Sequence, residues 1–457
     1  MLLEKLFEPF IKERPICVMA RIVLERLLNP DRLDALFKRV AQRQYTQELL
    51  FSQLAGLVSE VTLSLQPSVH AAYQAKQEEI GVSTTALYNK LDRVENGISA
   101  ELVRDSYREA EPAVDALQSP HSDLLPGYRV KFLDGNHLSA TEHRIRELRS
   151  TWAAALPGKA LVVLDQRYML IENVFLAESG HAQERSLINE VLPTVEEGDL
   201  WIADRNFCTQ PFFFGIAHRG GFFLIRQHEQ LKGRLVGKRK YIGKTNKGSV
   251  YEQELIITDP ETGEEKVVRR ITIKLKRKTR DGDSIIHLLS NIPKKDADAR
   301  VLSELYRLRW TIETAFFEIT TTLTCEVNTL GYPKAALFAF CLALLAYNAV
   351  SVIKAALRSE HGDEKINQEV SAYYLALEIQ QTYDGMMVAI PAEHWYILRE
   401  LPIKKFAKLL KSIAAEVKLG KYKKHPRGPK KKPPPKTPYQ NGNHVATAKI
   451  LAQRNTC

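Results

Sequence analysis

The sequence predicts an α/β protein: a core of strands and helices, interrupted by a β-rich insertion and preceded by a helical N-terminal domain. Three observations predict it. Apolar residues recur at helical spacing up to about residue 118. Beyond Tyr128 the pattern changes to short apolar runs bounded by turn residues. From about Glu229 to Asp283, β-branched and basic stretches alternate between Asp-Pro, Thr-Gly and Asp-Gly turns. A chain of 457 residues has room for two or three domains and a large core.

The elements follow in order. In residues 1–118, Leu24, Leu27 and Leu28, then Leu33, Leu36 and Phe37, mark helices, and Gln47 to Leu65 repeats the period. Gly81 to Val94 resembles the turn and second helix of a helix-turn-helix. Ser83 can cap that helix, Leu87, Leu91 and Val94 face inward, and Tyr88, Asn89 and Arg93 face out toward a DNA groove. Residues 119–228 form the first part of the core. Its runs YRVKFLDGNHL, ALVVLDQRYMLIENVFLA, DLWIADRNF and GFFLIRQH read as strands, with His181–Glu197 and Thr209–His218 as helices between them. Three strands, helix, strand, helix, strand is the order expected of a ribonuclease-H-like core. The insertion, residues 229–284, reads as a small antiparallel sheet. Residues 285–357 complete the core: SIIHLLSNIP brings the chain back, and Asp296–Leu323 reads as one long helix with Asp296 as its cap. Residues 358–416 are helical, and residues 417–457 form a basic, Pro-rich tail expected to be extended.

Composition narrows the function classes. The five cysteines are scattered, odd in number and without CxxC spacing, which argues against a disulfide framework and a cysteine-based zinc site and points to a reducing cytoplasm. Charges interrupt every apolar stretch of the N-terminus, so no signal-peptide pattern is present. The uncharged stretch Ala335 to Ile353 is long enough to span a bilayer, but its alanines, Tyr347 and Asn348 favour a buried core helix over membrane contact. Net charge is +11, and the tail alone carries eleven Lys or Arg and no Asp or Glu. Residues 231–280 add fifteen Lys or Arg against six acids. Two basic segments on a body that is otherwise not basic imply a polyanion partner, with Lys430, Lys431 and Lys432 among the phosphate-binding candidates.

The chemistry is carried by acids. Asp134, Asp165 and Asp204 each stand in an apolar strand, where an unpaired carboxylate would cost several kcal/mol or take up a proton. Carboxylates can gather without severe repulsion if they share a divalent cation, and magnesium prefers such oxygen ligands. Glu313 and Glu318, on the helix after the insertion, are candidates to complete the set.

The string from Tyr306 through Arg309 to Glu313 resembles the Tyr-x2-Arg-x3-Glu-x6-Lys signature of bacterial insertion-sequence transposases of the Asp-Asp-Glu class, the insertion-sequence-four-like group. Position 320, where that group has Lys, is Thr. ADRNF at Asp204 and LDGNHL at Asp134 resemble the group's other acidic motifs, and the insertion lies where the group has one. The resemblance covers about residues 120 to 350. It implies that Asp134, Asp204 and Glu313 are catalytic ligands of two Mg2+ (or Mn2+) ions, that Tyr306 and Arg309 contact DNA phosphate, and that Asp165 is a structural hairpin residue. It implies a cut-and-paste transposase acting on double-stranded DNA as a homo-oligomer, a dimer on DNA, with no role for a membrane. A metal-dependent nuclease without strand transfer and a non-catalytic DNA-binding regulator are the alternatives. Trp310 reads as a core residue.

Overall fold

The computed structural model describes residues 5–44, 48–279, 282–323, 327–425 and 443–454. Its centre is the helix Pro333–His361, whose apolar stretch passes the length and hydropathy test for a membrane span and yet is wholly buried inside the protein. One side of this helix, with Phe338, Leu342, Leu345 and Ile353, packs into a core made by the N-terminal and C-terminal helices. The other side, with Leu337, Phe340, Cys341 and Leu344, packs against the sheet. The N-terminal part is helical through Asn96–Ala116.

The sheet has nine strands: β1 (Arg129–His137), β3 (Lys159–Asp165), β4 (Leu170–Ala177), β5 (Asp199–Ala203), β6 (Phe222–Arg226), β7 (Arg234–Lys244), β8 (Gly248–Thr258), β9 (Glu265–Leu275) and β10 (Ile285–Ser290), with β2 (Ala154–Leu156) outside it. Their order is β4-β3-β1-β5-β6-β10-β9-β8-β7. The hairpins β1–β3 and β3–β4 are antiparallel, whereas β1, β5 and β6 run parallel. Strands that are buried on both faces, such as β3 and β5, read as continuous apolar runs, which is why they were visible in the sequence.

Several elements differ from the sequence reading. The insertion is not a separate small sheet. Strand β10 pairs with β6 on one side and β9 on the other, so β9, β8 and β7 prolong the core sheet. The buried Arg269 anchors this extension: Nε donates to Glu252 (3.0 Å), and Nη1 donates to the carbonyls of Ile292 and Ala297. Residues 181–197 form short helical turns rather than one helix, with Pro193 in the last of them. The long helix expected from Asp296 is two, Ala299–Arg307 and Trp310–Thr322. The amides of Leu308 and Arg309 bond three residues back, to Leu305 and Tyr306, which tightens the chain at the break. The cap is Asp298, which accepts from the amides of Arg300 and Val301, while Asp296 accepts from the Tyr128 hydroxyl.

The C-terminal stretch is folded at both ends. Tyr422 is buried and its hydroxyl bonds Glu378. Strand β11 (His444–Ala446) pairs in parallel with β2, followed by the helix Thr447–Arg454. Apolar and β-branched residues at these ends give the chain something to bury. Lys430, Lys431 and Lys432 lie outside the described residues.

Asn348 is fully buried in the central helix, as a polar residue alongside the buried Ser351 and Arg358. Its side chain accepts from the amide of Ile171 (2.7 Å) and donates to the Ile171 carbonyl (3.0 Å) and to Ser106 Oγ (2.9 Å). Ile171 is on β4, the strand at the sheet's edge, so Asn348 satisfies backbone groups that have no neighbouring strand. Asn348→Leu removes these bonds and leaves buried groups unpaired, at about 1–3 kcal/mol each. A thermal melt of the variant should show a Tm several degrees below the parent; an unchanged Tm would show that the edge does not depend on this side chain.

Candidate active site

Two of the predicted acids meet because of strand pairing. Residue 134 follows Leu133, which pairs with Ala203 on the parallel neighbour β5, so Asp134 and Asp204 emerge at the same sheet edge. Asp204 stands one residue past β5, where its Oδ1 accepts from the Asn206 amide (2.8 Å) and caps the turn Arg205–Phe207. Glu313 comes from the helix Trp310–Thr322, which lies over this edge. Arg309 joins them: Nη1 donates to Asp134 Oδ2 (2.8 Å) and Nη2 donates to Glu313 Oε1 (2.6 Å). The guanidinium thus bridges residues 175 positions apart and also makes the local i, i+4 pair.

Crowding of like charges marks the electrostatics. Burial, reinforced by Asp204 and Glu313, pushes the Asp134 carboxyl up to about 7 against the opposing pull of Arg309 and the Gly135 amide. The Asp204 carboxyl is also raised, first by burial and then by Glu184. Burial pushes the Tyr306 hydroxyl up to about 12, so it stays protonated and can donate. For Arg309, burial works against the charge, but the carboxylates of Asp134 and Glu313 oppose it and hold the guanidinium protonated. Its Nε is buried with no hydrogen-bond partner.

Sequence reasoning missed Glu184. Its Oε2 accepts from Asn206 Nδ2 (3.2 Å), and its carboxylate lies where a Cβ on residue 135 would be, 2.3 Å from that position. Glycine at 135 leaves room for this fourth acid to approach. The glycine directly after Asp134 was the available signal, but nothing in the sequence paired it with residue 184.

The remaining candidates sort plainly. Asp165 is a hairpin residue: it accepts from the Tyr107 hydroxyl (2.9 Å) and the amide of Arg167 (2.8 Å), and it pairs across from Lys131. Glu318 is bound to Lys354 (2.7 Å). Thr320 is exposed, its hydroxyl turned back onto the carbonyl of Phe316. Trp310 is not a core residue. Ile312, Ala315 and Ile319 take the buried stripe of this helix, which leaves the indole 63% exposed beside Arg309. Asn89 and Arg93 line a separate cleft of about 590 Å³ with Arg43, Lys90 and Lys334. Tyr88, expected to face outward, is half-buried against the helical core. Tyr88 and Asn89 lie on the helix Thr84–Leu91 and Arg93 in the turn after it; the helix is capped by Ser83 and preceded by Gly81 at φ 67°, and the segment before it is broken into Val69–Ala75 and Gln77–Ile80.

An all-oxygen donor set of this kind suits a hard divalent cation. Among the described residues, however, no three His, Cys, Asp or Glu side chains converge closely enough to hold one ion. Arg309 stands between Asp134 and Glu313, so it serves as their cation, and sharing a metal between these two acids requires the guanidinium to turn away.

No curated protein matches the chain. Among solved structures, the chain is similar to a piggyBac transposase, whose synaptic complex with hairpin DNA was determined by cryo-electron microscopy, at 11% identity and a TM-score of 0.39 over 87% of this chain and 84% of that one. Residues 125–349, which contain Asp134, Asp204, Glu313 and the whole insertion, match the family model described as the transposase DDE domain, and this match supports a DDE transposase.

Proposed function

We propose that the chain is a DNA transposase that cleaves the ends of its mobile element and joins them to target DNA, working on a ribonuclease-H-like core. The observation that carries this reading is the gathering of Asp134, Asp204 and Glu313 around Arg309 at one sheet edge, within the segment that matches the transposase DDE domain. The fold agrees with it. Counting only β1, β3, β4, β5 and β6, two antiparallel hairpins run into a parallel trio, with β1 at the centre.

Asp134, Asp204 and Glu313 would hold two Mg2+ or Mn2+ ions, which supply an activated attacking oxygen and charge neutralisation at the leaving oxygen. The protein's own groups do the positioning. Arg309 has an unpartnered Nε with which to hold a phosphate oxygen once the side chain turns outward, and releasing Glu313 frees Nη2, the donor on the same edge, for a bidentate grip. Tyr306, kept protonated, donates to another phosphate oxygen. Two DNA ends must be held together for joining, so the working form is a homo-oligomer, a dimer on DNA in the simplest case, in the cytoplasm. Asn89 and Arg93, in their basic cleft, and Lys430 to Lys432 add DNA contacts away from the carboxylates.

Purified protein incubated with supercoiled plasmid and Mg2+ should nick it. Asp134→Asn, Asp204→Asn and Glu313→Gln should each lower nicking at least a hundredfold while duplex binding in EDTA stays within about threefold, and Asp165→Asn should keep nicking per folded molecule. Nicking by the first three variants would contradict the site assignment. A pre-cut element end separates a transposase from a plain nuclease: joined product supports the proposal, and hydrolysis alone supports the nuclease.

We propose that Arg205, exposed and next to Asp204 in the chain, supplies the charge missing at Thr320. Arg205→Gln should then reduce excision about tenfold, and Thr320→Lys should change the parent little. A large gain from Thr320→Lys in the parent would instead mean that no cation substitutes.

A further inference from the structure

The inserted sheet has two unlike faces. One is covered: Val250, Ile271, Ile273 and Leu288 pack with Leu302 and Leu305 of the helix Ala299–Arg307. The other face is apolar only where it meets the core, at Leu255, Ile257, Val268 and Leu289. On the half that projects past the end of β6, strand register puts Tyr241 opposite Tyr251, Thr272 opposite Tyr251 and His287 opposite Thr272, all on this second face. Arg270 and Lys274 lie two residues to either side of Thr272 on β9 and share the face.

This half-face is basic and its cations lack acids. The Arg239 guanidinium stacks over the Tyr251 ring at 5.0 Å, and Lys274 Nζ approaches the same ring at 5.3 Å, with Tyr241 edge-on at 5.4 Å. Arg270 donates to Gln227 Oε1 (2.6 Å), a neutral partner. Among the described residues, Arg239, Arg270 and Lys274 form no ion pair, whereas the nearby Arg226 is bound to Asp283 and, on the other face, Arg269 is bound to Glu252. The crowding is felt locally. Burial lowers the guanidinium of Arg270 and the ring of His287, and in both the charge on Arg239 adds to the effect. Unpaired like charges held this close cost free energy that a bound polyanion recovers.

We infer that Arg239, Arg270 and Lys274, mounted on the Tyr251 ring, form a phosphate-binding platform that grips the backbone of the DNA next to the cut. The aromatic pair acts as a pedestal: cation–π contacts fix long, flexible side chains on a rigid strand pair, so less side-chain entropy is lost when phosphate binds. The platform borders the carboxylate edge, because Gln227, which holds Arg270, follows Arg226, which register places level with Asp204 on the neighbouring strand. The inference rests on the transposase reading for the identity of the polyanion.

The test measures affinity for a DNA duplex against salt concentration, with plasmid nicking followed in parallel. Each phosphate neutralised contributes about 0.9 to the slope of log K against log salt. Replacing all three cations (R239Q, R270Q, K274Q) should flatten the slope by about 2 to 3 without lowering Tm; should the triple variant melt early, Arg239→Gln alone should flatten it by about 1. Tyr251→Leu should weaken binding several-fold, and Tyr251→Phe, which keeps the ring, should restore it. An unchanged slope in a variant of normal Tm overturns the platform while leaving the transposase reading intact. Tighter binding of an RNA duplex than of DNA of the same sequence also overturns it. A parent protein whose platform binds DNA but which neither nicks nor joins overturns the transposase reading and leaves the platform standing.

Discussion

Everything in this protein is arranged around one constraint, the need to cover the helix Pro333–His361 on every side. Over residues 335–353 this helix carries no charge and is buried throughout, so the chain must supply two bodies to cover it. The N-terminal and C-terminal helices provide one and the sheet provides the other. Because both pack on the same rod, their relative position is fixed by side-chain interdigitation rather than by linkers. The helix Trp310–Thr322, which carries Glu313, packs its buried stripe into the same sheet-side core, so the third acid is placed by the same burial that places the first two.

The second constraint is electrostatic. Asp134 and Asp204 are held side by side by strand register, with Glu184 and Glu313 close by. Such a group of partly buried carboxylates opposes folding unless a cation answers it. Arg309 answers it at two of the four. An arrangement held by an arginine can also be rearranged by one, since turning that side chain exchanges carboxylate partners for phosphate.

How much of this was legible in the sequence depended on whether the determinant was local. Asp134 and Asp204 could be found because each sits at the end of an apolar run, and Glu313 because its spacing from Tyr306 and Arg309 is a local pattern. Asp165 looked the same as these two in sequence, and only the register, which puts it opposite Lys131, separates it from the site. Glu184 and the Arg309–Asp134 bond depend on contacts across long stretches of chain and left no periodic trace. Trp310 is exposed because residues 296–323 hold two helices rather than one, and the break sets which residues form the buried stripe. The insertion was recognised as β-rich, but that β10 would splice it into the core sheet follows from pairing on both edges, which composition does not encode.

The central claim is that Asp134, Asp204 and Glu313 together bind divalent metal. Iron(II) substituted for Mg2+, with ascorbate and peroxide, generates hydroxyl radicals that cut a polypeptide beside its metal ligands, and mapping the fragments tests the claim without reference to activity. The account predicts cuts clustered near residues 134, 204 and 313 that disappear when excess Mg2+ is added. Cuts at residue 165 instead, or none above background, would contradict it.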